Sequence, residues 1–445
     1  MSFADAYLRK AGLREALIEP APHPGLNILV TIPVINESGL ERCLDSLFQC
    51  TCGSSSSGVD IHAEVLIFIN APENAPKEIL EQNQATLEAT RTWIEAHPHP
   101  CINFHVCLDH SFVKKEAGVG TARKILMDEA TRRFNVLERP EGIIASTDAD
   151  AVVQPNYLEA LVNHFRESES GSGPDGCSIR FEHPLAADSG ADSGADSEVD
   201  PGADSGAEEQ FSPAVYEAIA QYELHLRYYL QLVRSTGYPY AYQTVGSSFA
   251  VRADIYCKEG GMNRRQAGED FYFIQKVAQR GNFSQCDSTC VVPSPRPSDR
   301  VPFGTGLAVS RLSASEDVLT TYDPRPFAML KELFKRIKQP EDLKGPWPEP
   351  LQSFLDTQEF EKALLEIRSN SASASAFRKR FWRWFNMFRI MKFLHYARER
   401  GYPDIPVGKA AAELLREIDP EGIGIPSLGS DPKKLLLIYR MLELR

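Results

Sequence analysis

The chain has 445 residues, 42% hydrophobic and 24% charged, which is typical of a folded globular protein. Its net charge of -13 argues against nonspecific nucleic-acid binding, because phosphate neutralisation requires clustered Lys and Arg. The N-terminal stretch lacks the apolar core of a signal peptide, and no apolar run is long enough to span a bilayer. The 9 cysteines are scattered and include no CxxC pair. We therefore expect a cytoplasmic protein without disulfides and without a transmembrane segment.

The first third of the chain alternates between strand-like and helix-like patterns. Continuous apolar runs of the kind found in strands buried on both faces occur at 27–35, 63–69, 102–108 and 142–147. Helical patterns lie between them, the longest at about 77–96 and 118–134. This alternation predicts an α/β fold with a mostly parallel sheet flanked by helices.

The rest of the chain first continues the sheet and then becomes helical. Segment 177–184 is predicted to be a strand, whereas 187–209 repeats Asp, Ser, Gly and Ala and is predicted to be a disordered insert. A helix is predicted at 376–398, where aromatic residues pack inward; a membrane-surface or partner role is the alternative. The predicted organisation is an N-terminal helix at 1–25, an α/β domain at 26–312 and a C-terminal helical region at 313–445.

Asp148-Ala149-Asp150 directly follows the strand-like segment at 142–147. Ligands of open α/β sheets bind beyond the carboxyl ends of the strands. Two carboxylates at such an end can share a hard divalent cation, and that cation can hold a diphosphate. The alternative is an ordinary loop in which Asp150 caps the next helix.

Glu269-Asp270 follows a glycine-rich, basic loop and opens a predicted helix. A carboxylate at this position can act as a general base if it reaches an acceptor hydroxyl. The alternative is a charge that only favours the helix N-terminus. The combination with Asp148 and Asp150 favours the catalytic interpretation.

Two further segments carry cations beside glycines. Gly118 and Gly120 begin a helix that contains Arg123 one turn later, an arrangement that suits a phosphate but is equally that of an ordinary helix start. Arg296 and Arg300 lie in an irregular loop that either closes over a bound ligand or links two domains.

Taken together, these motifs resemble family 2 glycosyltransferases of the GT-A fold. The similar segments are ILVTIPVINESGLERCLDSL, the strand ending at Asn70, GVGTARKILMDEA, TDAD and GEDFYFIQKV, which occur in the family's order over about residues 26–310. The resemblance implies a hexosyltransferase-like enzyme that moves a sugar from a nucleotide diphosphate donor, such as a UDP- or GDP-sugar, to an acceptor, with inversion. The acceptor class stays open among a glycan, a lipid-linked sugar and a small molecule.

The resemblance also implies roles for single residues. Asp270 is the expected general base, supported by Glu269, and Asp148 and Asp150 are the expected ligands of Mn²⁺ or Mg²⁺. The expected donor-binding residues are Pro33, Asn36, Glu37, Asn70, Gly118, Gly120, Arg123, Asp148, Arg296 and Arg300.

The chain departs from the family pattern at two places. Asn70 stands where the family usually has an acidic residue, with Glu73 as the nearby acidic alternative, which leaves the identity of the base open. The QxxRW motif of the family's processive membrane enzymes is absent, since RFWRW at 380–384 lacks the Gln.

Two other functions compete with the glycosyltransferase. A nucleotidyltransferase acting on sugar phosphates would carry a phosphate-binding loop directly after the first strand, where this chain has IPVINESG. A catalytically silent interaction protein would not need both acidic motifs.

Overall fold

The structure is a computed structural model. It describes residues 2–12, 16–53, 60–113, 118–166, 173–186, 211–264, 268–300, 304–315, 317–337, 343, 345–418 and 429–444. The insert predicted at 187–209 lies outside these described residues.

The strands and helices follow the alternation expected from the sequence. The strands are β1 Leu26–Val34, β2 His62–Pro72, β3 Ile102–Phe112, β4 Ile143–Ser146, β5 Val152–Val153, β6 Gly176–Phe181, β7 Phe249–Arg252, β8 Phe283–Val292, β9 Thr320–Thr321 and β10 Ile405–Pro406. The helices are α1 Asp5–Ala11, α2 Leu40–Phe48, α3 Lys77–Ala96, α4 Val119–Val136, α5 Tyr157–Arg166, α6 Pro213–Ser235, α7 Ala253–Lys258, α8 Glu269–Ala278, α9 Thr305–Ser313, α10 Arg325–Arg336, α11 Leu351–Thr357, α12 Phe360–Ser369, α13 Ala374–Trp384, α14 Met387–Arg398, α15 Val407–Ile418 and α16 Pro432–Glu443.

Among the described strands, eight form one mixed sheet in the order β3-β2-β1-β4-β7-β6-β8-β5. Neighbouring strands from β3 to β4 are parallel, β7 runs antiparallel to both β4 and β6, and β6 is parallel to β8. Helices α2 to α5 pack against this sheet. The predicted fold class, an α/β fold with a mostly parallel sheet, is confirmed, and the mixed sheet is consistent with the GT-A fold.

The centre of the sheet is apolar because its strands are buried on both faces. All residues of β1 except Asn27 are buried, and so is nearly all of β2. Helices covering both faces of a parallel sheet require such continuous apolar strands. The registers align the carboxyl ends of β1, β2 and β4, and the Thr147 amide donates to the Thr31 carbonyl oxygen just beyond β4. Polar residues that follow these strands therefore lie along one edge.

The described chain divides into two compact units. The first contains Met1–Glu182 and Tyr242–Ser294 and includes the mixed sheet; the second contains His183–Ala241 and Pro295–Arg445 and is mainly helical. The packing thus groups α6 and α9 with the C-terminal helices. The boundaries predicted at 25 and 312 stay predictions.

The aromatic segment of the second unit is divided into two helices, so the prediction of one helix at 376–398 is wrong. Helix α13 ends at Trp384, and α14 begins at Met387. Between them, the Asn386 side chain accepts a hydrogen bond from the Arg389 amide, which is the favoured role of Asn at a helix N-cap. Phe377, Phe381 and Trp382 are buried, as the aromatic pattern predicts. Within the described part of the chain, the helices are too short or too polar to cross a bilayer.

Candidate active site

Asp148 and Asp150 lie just past the carboxyl end of β4, where the sequence predicts them. Buried Ala149 separates the two carboxylates, and the Asp148 side chain is 39% exposed. The Cys43 thiol of α2 donates to the Asp148 carbonyl oxygen over 3.6 Å. Burial raises the pKa of this thiol, and the charges of Asp150 and Asp148 raise it further. Both carboxylates therefore lie near the start of α2, on the same side of the sheet edge.

Arg123 is the buried centre of this region. Its guanidinium donates from Nη2 to Asp148 Oδ1 over 2.6 Å and from Nη1 to Glu269 Oε1. The side chains of Arg123 and Glu269 are almost fully buried. Burial alone would lower the pKa of Arg123, but the carboxylates of Asp148, Glu269 and Asp270 outweigh it and raise the pKa. The guanidinium thus stays charged and joins residues that are 25 and 146 positions away.

Asp270 joins the same cluster from the first turn of α8. The helix starts after Gly268, whose φ of 72° is the left-handed conformation that glycine adopts readily. The Phe271 amide donates to Asp270 Oδ1 over 2.7 Å. Burial and the neighbouring charge of Glu269 raise the Asp270 pKa from 3.8 to about 6, while Arg123 opposes the rise. Asp270 is therefore more basic than an ordinary aspartate.

Gly246 contacts this cluster, and sequence reasoning missed it. A Cβ at this position would lie 2.9 Å from both Arg123 Nη1 and Nη2 and 2.9 Å from Asp270 Oδ2. The Gly246 carbonyl accepts a hydrogen bond of 2.9 Å from Ser146 Oγ at the end of β4. A single glycine ahead of a predicted strand carries no signal for such a role. The side chains of Arg123 and Asp270 therefore both lie close to the Gly246 backbone.

A cluster of polar residues lies at the carboxyl ends of β1 and β2. Pro33 is buried within β1, and Asn36 has a left-handed φ of 47° while its amide donates to Asn83 Oδ1 over 2.8 Å. Glu37 is buried, and its Oε1 accepts from the Gly39 amide over 3.0 Å. Glu37 is also among the charges that raise the pKa of Cys43. The predicted Pro33–Glu37 segment is therefore adjacent to Asp148 and Asp150.

Asn70, near the end of β2, belongs to the same polar cluster. It is 2% exposed, and its Nδ2 has no hydrogen-bond partner among the described residues. Asn83, which was not predicted, lies between Asn36, the Asn70 carbonyl and His110 Nε2, the last at 3.2 Å. Burial lowers the pKa of His110, with Asp109 opposing. A buried amide left without a partner costs about 1–3 kcal/mol, so Asn70 is a natural contact for a bound molecule.

The other predicted donor-binding residues are two glycines at the start of α4 and two arginines of the irregular loop. Gly118 is the extended N-cap of α4, and Gly120 is buried in its first turn. Lys114 and Lys115, which precede these glycines in the sequence, lie outside the described residues. Arg296 and Arg300 belong to the second compact unit, where the Arg300 amide donates to Ser298 Oγ over 3.4 Å. The structure thus brings Arg123 to the carboxylates of Asp148 and Glu269.

The acidic residues fit a cation that shares its coordination with phosphate. Among the described residues, no group of three or more His, Cys, Asp and Glu side chains could hold a metal ion. Mg²⁺ bound together with phosphates needs only one or two protein carboxylates, because water and phosphate oxygens complete its shell. Asp148 directs one oxygen to Arg123 and is still partly exposed. Asp148 and Asp150 therefore suit a shared cation and would not form a closed protein cage.

Comparisons with known proteins give distant similarities of structure only. No family model and no curated protein matches the sequence. The crystal structure of S. aureus TarS residues 1-349 matches with a TM-score of 0.34 and 13% identity, over 93% of this chain and 91% of that chain. The crystal structure of S. aureus TarS matches with a TM-score of 0.35 and 14% identity, over 84% of this chain and 53% of that chain. At such values the matches carry no argument about activity.

Proposed function

We propose that the chain is a glycosyltransferase that moves a sugar from a nucleotide diphosphate donor to an acceptor hydroxyl. The observation that carries the proposal is the meeting of Asp148 and Asp270 at Arg123, although the two aspartates are far apart in sequence. One carboxylate lies where a donor diphosphate and its cation would bind, and the other has a raised pKa. A purely structural ion pair would require neither a raised pKa at Asp270 nor a partly exposed side chain at Asp148.

Asp270 is the proposed general base. It would take the proton of the acceptor hydroxyl while that oxygen attacks the anomeric carbon from the face opposite the diphosphate. The bond between the sugar and the diphosphate breaks in the same step, so the product is inverted. With a pKa of about 6, the carboxylate is ionised at neutral pH but is a stronger base than an ordinary aspartate.

Asp148 and Asp150 are the proposed ligands of Mn²⁺ or Mg²⁺. When bound, the cation would neutralise the negative charge that develops on the departing diphosphate. The Arg123 guanidinium holds Asp148 and Glu269 in fixed orientations before any ligand binds. Such preorganised charge contributes because it needs no rearrangement during the reaction.

The polar cluster of Asn36, Asn70 and Asn83 is the proposed contact of the donor nucleoside. Its buried Asn70 Nδ2 offers a hydrogen-bond donor, so a base with a carbonyl oxygen, as in uracil or guanine, would satisfy it. We propose a UDP- or GDP-sugar as the donor. The free thiols of all nine cysteines are consistent with the cytoplasmic location expected from the sequence.

Asp270→Asn tests the proposal. Transfer, or donor hydrolysis with water as acceptor, should fall by at least about 100-fold, because general-base catalysis contributes 10²–10⁴-fold. Donor affinity should change little, since the amide keeps the shape of the side chain. Glu81→Gln is the control because Glu81 is 62% exposed on α3, where it pairs with Lys77. Full activity of Asp270→Asn would refute the base assignment.

The pH dependence provides a second check. Wild-type activity should decline as the pH falls below about 6, because protonation removes the basic form of Asp270. A rate that stays constant between pH 7 and pH 5 would contradict the assignment.

A further inference from the structure

One helical segment carries several cations and no acidic residue. Residues 371–398 contain seven Arg and Lys residues and no Asp or Glu, in a chain whose net charge is -13. The segment covers α13 and α14 of the second compact unit. The proposed glycosyltransferase chemistry does not use these residues. A local excess of one sign against an opposite background indicates a surface that attracts a partner by charge.

Helix α13 buries three aromatic side chains and exposes its four cations. Phe377, Phe381 and Trp382 are buried. The four cations of the helix are exposed, and we call this set the basic face: Arg378, Lys379, Arg380 and Arg383. None of the four forms an ion pair with another described residue. Their charges are therefore available to an external anion.

The basic face is held on a fixed support. The ring of Trp382 packs edge-to-face against Phe334 of α10, with centroids 4.9 Å apart. At the start of α13, the Ser373 side chain accepts a hydrogen bond from the Ala376 amide and caps the helix. A rigid helix presents its cations without a further loss of backbone entropy on binding.

Helix α14 adds an exposed aromatic ring beside a cation. Phe388 is 36% exposed, and the Lys392 ammonium lies 4.8 Å from its ring centroid. Other cations of the segment are already engaged: Arg389 stacks over Trp384 at 3.9 Å, and Arg398 pairs with Asp404 at 2.9 Å. Cations next to an exposed aromatic ring suit the headgroup region of a lipid bilayer.

We propose that the basic face binds an anionic membrane surface. A protein partner would need an apolar centre to its interface, whereas these four positions are all charged. A duplex nucleic acid held through about 6–10 phosphate contacts would need a longer basic surface than α13, which has 11 residues and a length of about 16 Å. Lipid headgroups can instead diffuse and gather beneath a short basic helix. Attraction to an anionic bilayer strengthens binding by roughly five-fold per Lys or Arg.

Vesicle sedimentation with the full chain tests the proposal. The probes are phosphatidylcholine vesicles with and without phosphatidylglycerol. Wild-type protein should sediment only with the anionic vesicles and should be released when salt rises from about 0.1 M to about 0.5 M. The variant R378Q/K379Q/R380Q/R383Q should bind the anionic vesicles at least 100-fold more weakly, because it lacks the basic face. Its four substitutions are exposed and should leave the melting temperature and donor hydrolysis unchanged.

The matched control removes four cations that already have acidic partners. In K77Q/K362Q/K433Q/K434Q, each substituted lysine forms an ion pair with Glu81, Glu359, Glu217 or Asp431. This variant has the same net charge as the first and should keep most of the vesicle binding. Equal loss in both variants, or no binding of the wild type to anionic vesicles, would overturn the proposal. Tighter binding to a duplex oligonucleotide than to the vesicles would also overturn it in favour of a nucleic acid.

Discussion

Replacing Arg123 with Met should destabilise the protein and change the titration of the proposed base. Met fills a similar volume but removes the charge that faces Asp148 and Glu269. Asp148 is 39% exposed and can turn to water, whereas the Glu269 side chain is 2% exposed and would remain buried without a counter-charge. Removing one partner of a buried ion pair costs about 3–5 kcal/mol. We expect a loss of this size in the free energy of unfolding, mainly because of Glu269.

The same variant should raise the pKa of Asp270 above its value of about 6, because Arg123 opposes that rise in the native protein. Urea unfolding at pH 7.5 measures the stability, and the pH profile of donor hydrolysis measures the titration. The acid limb of the profile should move to higher pH. Arg123→Lys keeps the charge but cannot reach both carboxylates at once, so it should give an intermediate result in both measurements.

Two further variants separate this explanation from a general loss of packing. Arg123→Met combined with Glu269→Gln should recover part of the stability, because the buried carboxylate is then neutral. Lys77→Met is the control: its pair with Glu81 is exposed and contributes at most about 1 kcal/mol. Wild-type stability and an unmoved acid limb in Arg123→Met would refute the central position of Arg123.

Three other substitutions have defined outcomes. Gly246→Ala should lower donor hydrolysis by about 10–100-fold and the free energy of unfolding by about 1–3 kcal/mol, because the added Cβ would displace the Arg123 guanidinium. The control is Gly53→Ala, which should change neither quantity because a Cβ there meets no described atom within 4 Å. Asp270→Asn should raise the melting temperature at pH 8 more than at pH 4, because burial disfavours the ionised carboxylate that wild type carries above pH about 6. An equal rise at pH 8 and pH 4 would contradict the raised pKa of Asp270. Glu223→Gln should cost roughly 3–5 kcal/mol in urea unfolding at pH 7, because buried Glu223 binds His183, Arg227 and Arg440. Burial favours the neutral form of Glu223, but these partners outweigh burial and lower the Glu223 pKa. The difference in unfolding free energy between variant and wild type should therefore shrink below pH about 4.5. A difference that stays constant with pH would exclude the ionised Glu223 carboxylate as its cause.

The sheet could be predicted because its signal is local. The apolar run of β1 and the later run ending at Asp148 are each complete within a few residues, and burial on both faces demands such runs. Residues that end these strands meet at one edge by the geometry of parallel strands alone. This rule placed Asn70 and Asp148 correctly at the carboxyl ends of their strands.

The parts of the site that could not be predicted depend on contacts between distant segments. Gly246 matters because a Cβ at this position would lie 2.9 Å from the Arg123 guanidinium nitrogens, and no local pattern encodes that approach. Asn83 belongs to a polar helix, yet its amide links Asn36 and Asn70. The break between α13 and α14 was missed because the aromatic spacing continues across Asn386, whose capping role depends on its hydrogen bond to Arg389.

Binding of nucleotide sugars is the most direct test of the central claim that Asp148, Asp150 and Asp270 form one donor and transfer site. The measurement is the melting temperature of wild type and Asp150→Asn with UDP- and GDP-sugars, each with and without Mn²⁺. A ligand at 100 times its Kd adds about 2.7 kcal/mol to native stability. We predict that one donor raises the melting temperature of the wild type only with Mn²⁺ and that Asp150→Asn loses this rise. No rise with any donor, or the same rise in the variant, would contradict the account.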